Sequence, residues 1–138
     1  EMSMNTKKKY NILMCTDFTV PKFGGVETHG YELSQCLINM GHKITFVTNM
    51  FKNDRCGVRH MANGIKIYYL PKLPILNGDD SFFALWNIYP VMREIIIREK
   101  IDICHGHQST SLIGTEVMQI GKMMGCKIIF TEHSLFNY

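Results

Sequence analysis

Four short, mostly apolar runs, at 10–16, 43–48, 101–105 and 127–131, decide what this chain can fold into. Each is too short for a helix, and helical patterns lie between them. Strands of this kind that alternate with helices form a mostly parallel sheet covered on both faces. The expected class is therefore α/β, with a Rossmann-like sheet and helices on both sides. A chain of 138 residues suffices for one such domain and is too short for two.

The punctuation supports this division. Residues 1–9, with Lys7, Lys8 and Lys9, read as a disordered tail, so the domain covers 10–138. A helix is expected over 26–40, with Leu33, Leu37 and Met40 on its apolar face and Gly41 as its stop. Residues 58–62 and 65–70 flank Asn63-Gly64 and predict an inserted hairpin with a type I′ turn. A second helix is expected over 81–100, with Phe82, Trp86, Tyr89 and Ile96 on one face and a kink at Pro90. A third is expected over 111–124, with Ile113, Val117, Ile120 and Met124 facing inward. Phe82, Phe83, Leu85 and Trp86 allow either core burial or a lipid-facing patch.

Composition excludes several functions. A net charge of +3 without a basic stripe along a helix argues against a nucleic-acid partner. Five cysteines, an odd number without CxxC spacing, read as reduced thiols in a cytosol-facing protein. No apolar run approaches the roughly 20 residues that span a bilayer, and the first residues lack a signal peptide's pattern.

In a doubly wound sheet, ligands sit beyond the carboxyl ends of the strands. Three polar clusters fall there: 17–27, 105–111 and 132–134. Gly24 and Gly25 stand where the chain turns into a helix. Glycines there let a ligand approach the backbone, and the free amides of a helix's first turn favour an anion such as a diphosphate. A tight turn without a ligand is the plainer account. The loop is neither GxGxxG nor GxxxxGK[ST], which argues against a dinucleotide and against P-loop chemistry. Glu27 is either a cleft residue or a counter-charge to the helix dipole. His105 and His107, two apart on a strand, project to the same side. No third metal ligand is evident and Cys104 points the other way, so no metal is expected. His107 is the candidate catalytic residue, as a partner of a sugar hydroxyl or a developing charge; a structural role for both histidines stays open. His133 and Ser134 either line the acceptor cleft or cap a loop. Without a GxSxG elbow they do not suggest a hydrolase.

The stretch D-F-T-V-P-K-F-G-G-V-E-T-H at 17–29, followed by M-G-H-K-I-T-F-V-T at 40–48, resembles the opening of retaining glycosyltransferases of family 4. Four further segments are similar to the branch of that family that acts on phosphatidylinositol. They are E-L-S-Q-C-L at 32–37, G-I-K-I-Y-Y-L-P at 64–71, H-G-H-Q-S at 105–109 and T-E-H-S-L-F at 131–136. The resemblance implies the acceptor-side, N-terminal half of a two-domain GT-B enzyme. It implies transfer of N-acetylglucosamine from UDP-N-acetylglucosamine to phosphatidylinositol, the first step of GPI-anchor synthesis. It implies no cofactor, further protein components of a membrane complex as partners, and the cytosolic face of the endoplasmic reticulum as the location. On this pattern Gly24 and Gly25 approach the donor diphosphate and His107 lies near the transferred sugar. Glu132 departs from the commoner aspartate. The family's second domain, with its pair of glutamates spaced eight apart, has no counterpart in these residues, so the chain alone is expected to be inactive. Two alternatives remain: a family 4 enzyme with another sugar or acceptor, and a non-catalytic Rossmann-like binding domain.

Overall fold

The structure, a computed structural model, describes residues 8–17, 19, 24–50, 56–70 and 88–134. Its elements run β1 (Asn11–Cys15), α1 (Gly25–Asn39), β2 (Lys43–Asn49), β3 (Gly57–His60), β4 (Lys66–Leu70), α2 (Ile88–Glu99), β5 (Ile103–His107), α3 (Leu112–Met123) and β6 (Lys127–Thr131). The strands form one sheet in the order β3-β4-β2-β1-β5-β6. All neighbours are parallel except β3, which runs antiparallel to β4 at the margin.

Period-two alternation sorts the side chains to two faces. Leu13 and Cys15 pack with Val47, Tyr68 and Leu70 beneath α2 and α3, which supply Met92, Ile95, Ile96, Ile113, Val117 and Ile120. Ile12 and Met14 join Ile44, Phe46, Ile67 and Tyr69 on the opposite face, beneath Tyr31, Leu33 and Leu37 of α1. Helices thus cover both faces, as the sequence implies.

The helix α3 lies unusually close to β5. A methyl group on Gly106 would stand 2.8 Å from Met118 Sδ, and one on Gly121 would stand 2.5 Å from the Cys104 sulfur. Real Cβ atoms do not come that close, so these glycines set the depth at which α3 packs.

Several expectations need correction. The hairpin is not a separate insertion, because β4 pairs parallel with β2 and only β3 is antiparallel. Its turn is not type I′. The Gly64 amide bonds to the Met61 carbonyl, and of the turn residues only Gly64 takes a positive φ, of 91°. That is a type I turn closed by a left-handed glycine, the usual three-residue hairpin loop. Met40 ends α1 as its C-cap and is 57% exposed, so it leaves the apolar face. Tyr89 is exposed; the inward face of α2 is Ile88, Met92, Ile95, Ile96 and Glu99. The strand expected over 101–105 runs instead from Ile103 to His107, because Lys100 turns at a positive φ just before it. Pro90 falls in the first described turn of α2, where a proline sacrifices no intrahelical bond. Residues 81–87, with Phe82, Phe83, Leu85 and Trp86, lie outside the described residues, as do 1–7 of the expected tail.

Candidate active site

The strand order reverses between β1 and β5, since β1 leads to β2 on one side while β5 lies on the other. That switch point opens a crevice at the carboxyl ends of the strands. The chain leaving β1 and the chain leaving β5 both border it.

The helix α1 starts at this crevice. Gly24 is its N-cap in an extended conformation (φ −134°), and no side chain caps the helix. The first intrahelical bond runs from the Thr28 amide to the Gly24 carbonyl. The amides of Gly25, Val26 and Glu27 therefore have no partner within the helix. Gly24 and Gly25 are both exposed, and a Cβ on Gly25 would meet nothing within 4 Å. A Cβ on Gly24 would lie 2.6 Å from Glu27 Oε2, so the Glu27 carboxylate folds over the helix start. Its first-turn position complements the dipole.

Cys104 packs beneath α3, so its neighbours His105 and His107 face the α1 side. Their rings stack, with centroids 4.2 Å apart and planes inclined by 27°. His105 Nε2 lies 2.7 Å from Thr131 Oγ1 on β6, and His107 Nδ1 lies 3.1 Å from His133 Nε2. A fourth ring completes the group. His29, one turn into α1, stands edge-on to His107 at 5.9 Å and to His133 at 4.9 Å. The candidate residues Gly24, Gly25, Glu27, His105, His107, His133 and Ser134 thus lie along one edge of the sheet, and the histidines are in mutual contact.

The electrostatics follow from burial. Desolvation, aided by the neighbouring histidines, lowers His107 to about 3 and His105 to about 4. Both rings are neutral at physiological pH, and His107 Nε2 is buried with no partner among the described residues. Asp17, just beyond β1, is raised chiefly by burial, against the Ser111 hydroxyl that lowers it; nearby Glu27 raises it further. Ser111 is the N-cap of α3, where its Oγ accepts from the Gly114 amide at 3.0 Å. Gln108 follows β5 with a positive φ of 66°, a costly conformation for a residue with a side chain. Its amide donates to the Thr131 carbonyl at 2.8 Å.

Glu132 ties the loops together. Its carboxylate accepts from the amides of Ser109 at 3.1 Å, His133 at 3.0 Å and Ser134 at 3.2 Å. The bonds from Ser109 foremost hold it below the usual glutamate range. Sequence reasoning missed His29, Thr131 and the clasp made by Glu132. The signal for His29 was its place four residues after Gly25, one helical turn on and on the same side of α1.

Two solved structures share this architecture. Sucrose-phosphate synthase from Thermosynechococcus elongatus superposes with a TM-score of 0.66 at 13% identity, over 91% of this chain and 33% of that one. A glycosyltransferase from Rickettsia africae ESF-5 gives 0.58 at 22% identity, over 94% and 31%. The fold is thus one shared with glycosyltransferases of the two-domain GT-B type. The family model for PIGA (GPI anchor biosynthesis) matches residues 50–138. This chain belongs to that family. The phosphatidylinositol N-acetylglucosaminyltransferase protein of Arabidopsis thaliana that carries the corresponding name is 43% identical over 130 residues, 94% of this chain and 29% of that protein. The chain spans 27–29% of the length of the curated relatives of that name.

Proposed function

We propose that the complete protein transfers N-acetylglucosamine from UDP-N-acetylglucosamine to phosphatidylinositol, with retention at the anomeric carbon, as the first step of GPI-anchor synthesis. The observation that carries this is the uncapped start of α1 beside the histidine group at the switch point of the sheet. Departure of UDP leaves charge on the β-phosphate. Preorganised amides at a helix start stabilise such charge, and one donor of this kind is typically worth about 3–4 kcal/mol. Gly25 leaves room for a phosphate to approach, while Glu27 holds the place until the donor arrives. His107, neutral and buried, hydrogen-bonds a hydroxyl of the transferred sugar, and His133 and Ser134 line the acceptor side. His105 fixes the His107 ring by stacking on it and is itself held by Thr131.

The reaction so described needs no cofactor and no metal, because the amides supply the positive end. The names of the relatives, which call them subunits, support a place in a larger complex. The proposed location is the cytosolic face of the endoplasmic reticulum membrane. Among the described residues, no helix is long and apolar enough to cross a membrane.

The test is a transfer assay on the complete protein with its complex, using labelled UDP-N-acetylglucosamine and phosphatidylinositol vesicles. Labelled glycolipid is expected with this donor, and none with UDP-glucose or GDP-mannose. Equal transfer from another donor, or transfer to another lipid alone, sinks the assignment. The 138-residue chain by itself is expected to give no turnover.

A further inference from the structure

The three imidazoles of His29, His107 and His133 have a property that the transfer chemistry does not use. Each offers one ring nitrogen, and these three atoms all lie within 4.8 Å of one another. His107 Nδ1 and His133 Nε2 are 3.1 Å apart. Two nitrogens on one tetrahedral ion, with bonds of about 2.0–2.1 Å, stand about 3.3 Å apart. Two of the three ligand atoms therefore already have the needed separation. His29 is exposed on α1, and its side-chain rotation brings its nitrogen in without moving the helix. The other two are preset. His107 is buried and stacked on His105, and the amide of His133 is fastened to Glu132.

We propose that His29, His107 and His133 form a binding site for one borderline-soft divalent cation of the Zn2+ class, and that the ion seated there closes the crevice to substrate. An all-imidazole set suits zinc or cobalt and offers nothing to magnesium or calcium, which take oxygen ligands. Three protein ligands leave a fourth position for water. The site is built from α1, the end of β5 and the loop after β6, so the ion also fastens α1 to the sheet. The binding claim stands on this geometry alone. The closing claim rests on the proposed function, because it requires His107 to be shared with the sugar.

The test starts with Co2+ titration of the protein, read by its visible d–d bands, followed by displacement with Zn2+. One cobalt per chain with a tetrahedral imidazole spectrum is expected, together with a rise in melting temperature that grows with metal concentration. His29→Ala, an exposed helix position that leaves the fold intact by circular dichroism, is expected to weaken binding by about 100-fold. Even loss of a hydrogen-bond partner behind a ligand typically costs about 10–100-fold. His60→Ala, an exposed histidine on β3 outside the group, is expected to change nothing. The proposal is overturned if no cobalt binds, if His29→Ala binds as tightly as the parent, or if an intense sulfur-to-cobalt band places the ion on Cys36 or Cys56. In the complete enzyme, micromolar Zn2+ is expected to inhibit competitively with the UDP-sugar. Inhibition that His29→Ala does not relieve refutes the closing claim. An enzyme without any turnover refutes the proposed function instead, while the cobalt titration still decides the site.

Discussion

The two ends of the same sheet treat their polar groups in opposite ways. At the amino ends of the strands, Glu99 is buried yet receives Lys43 at 2.8 Å, Lys66 at 2.5 Å and the Tyr68 hydroxyl at 2.7 Å. Desolvation pushes its carboxyl up, but these three bonds outweigh it and hold it at about 2. Asp102 and Asn11 exchange a further set of bonds between β1 and the start of β5. At the carboxyl ends, Asp17 Oδ1, Thr48 Oγ1 and His107 Nε2 are buried without partners among the described residues. A helix start is uncapped there, and Gln108 is strained. Unmet polar groups cost about 1–3 kcal/mol each, so a fold that concentrates them at one end has stability to spare elsewhere and a use for them there. The satisfied end is framework, and the unsatisfied end is the site.

That contrast breaks most easily at Gly25. Gly25→Val places its side chain in open space, so the unfolding midpoint should scarcely move while transfer by the complete enzyme falls by about 10²–10³. Full activity in this variant reduces the helix start to a turn. Next in size is Glu99→Ala, which should cost about 2–3 kcal/mol in denaturant unfolding and leave activity per folded molecule unchanged. If the two variants exchanged effects, the division between the ends would be wrong.

Acid sharpens the comparison, because both ends lose stability in the same direction but at different pH. The unfolded chain protonates its histidines near 6.5, whereas folded His105 and His107 resist down to about 4 and 3. Their depressed values give stability that is complete above pH 6.5 and lost as the pH falls through the folded values. Glu99 contributes fully above about 4.5 and loses its contribution toward 2. Unfolding curves across pH should therefore decline from about 6.5 downward, with a slope of at most about 1.4 kcal/mol per unit for each ring. His107→Gln should remove part of the upper decline and leave the lower one. A profile flat from 6.5 to 5 contradicts the burial of these rings. The smallest effect belongs to the exposed Arg98–Glu94 pair on α2, where Glu94→Ala should change stability by less than about 0.5 kcal/mol.

The framework was largely legible in the sequence because its determinants are local. Apolar runs mark the strands, Gly41 and Gly125 stop helices at positive φ, and Ser111 caps α3 through its own side chain. Two local rules misled where geometry competed. Asn63-Gly64 pointed to a type I′ turn, but the alignment of β3 with β4 accommodates the three-residue loop instead. Met40 fitted the helical period, yet α1 ends one residue before it. The site was legible as three polar clusters, and the pairing of His105 with His107 followed from strand alternation. What one sequence could not show was that α1 covers the face to which those histidines point. His29 joins them through the tertiary path of the chain, as does the clasp between 109 and 132–134.

That clasp has a mechanical consequence. Ser109 follows β5, and His133 and Ser134 follow β6, yet one carboxylate grips an amide from each. Two segments that would otherwise fluctuate separately are stapled into a single lever. A ligand that immobilises either side gains the other without a second entropic penalty, so tight binding in this crevice needs fewer direct contacts than its width suggests.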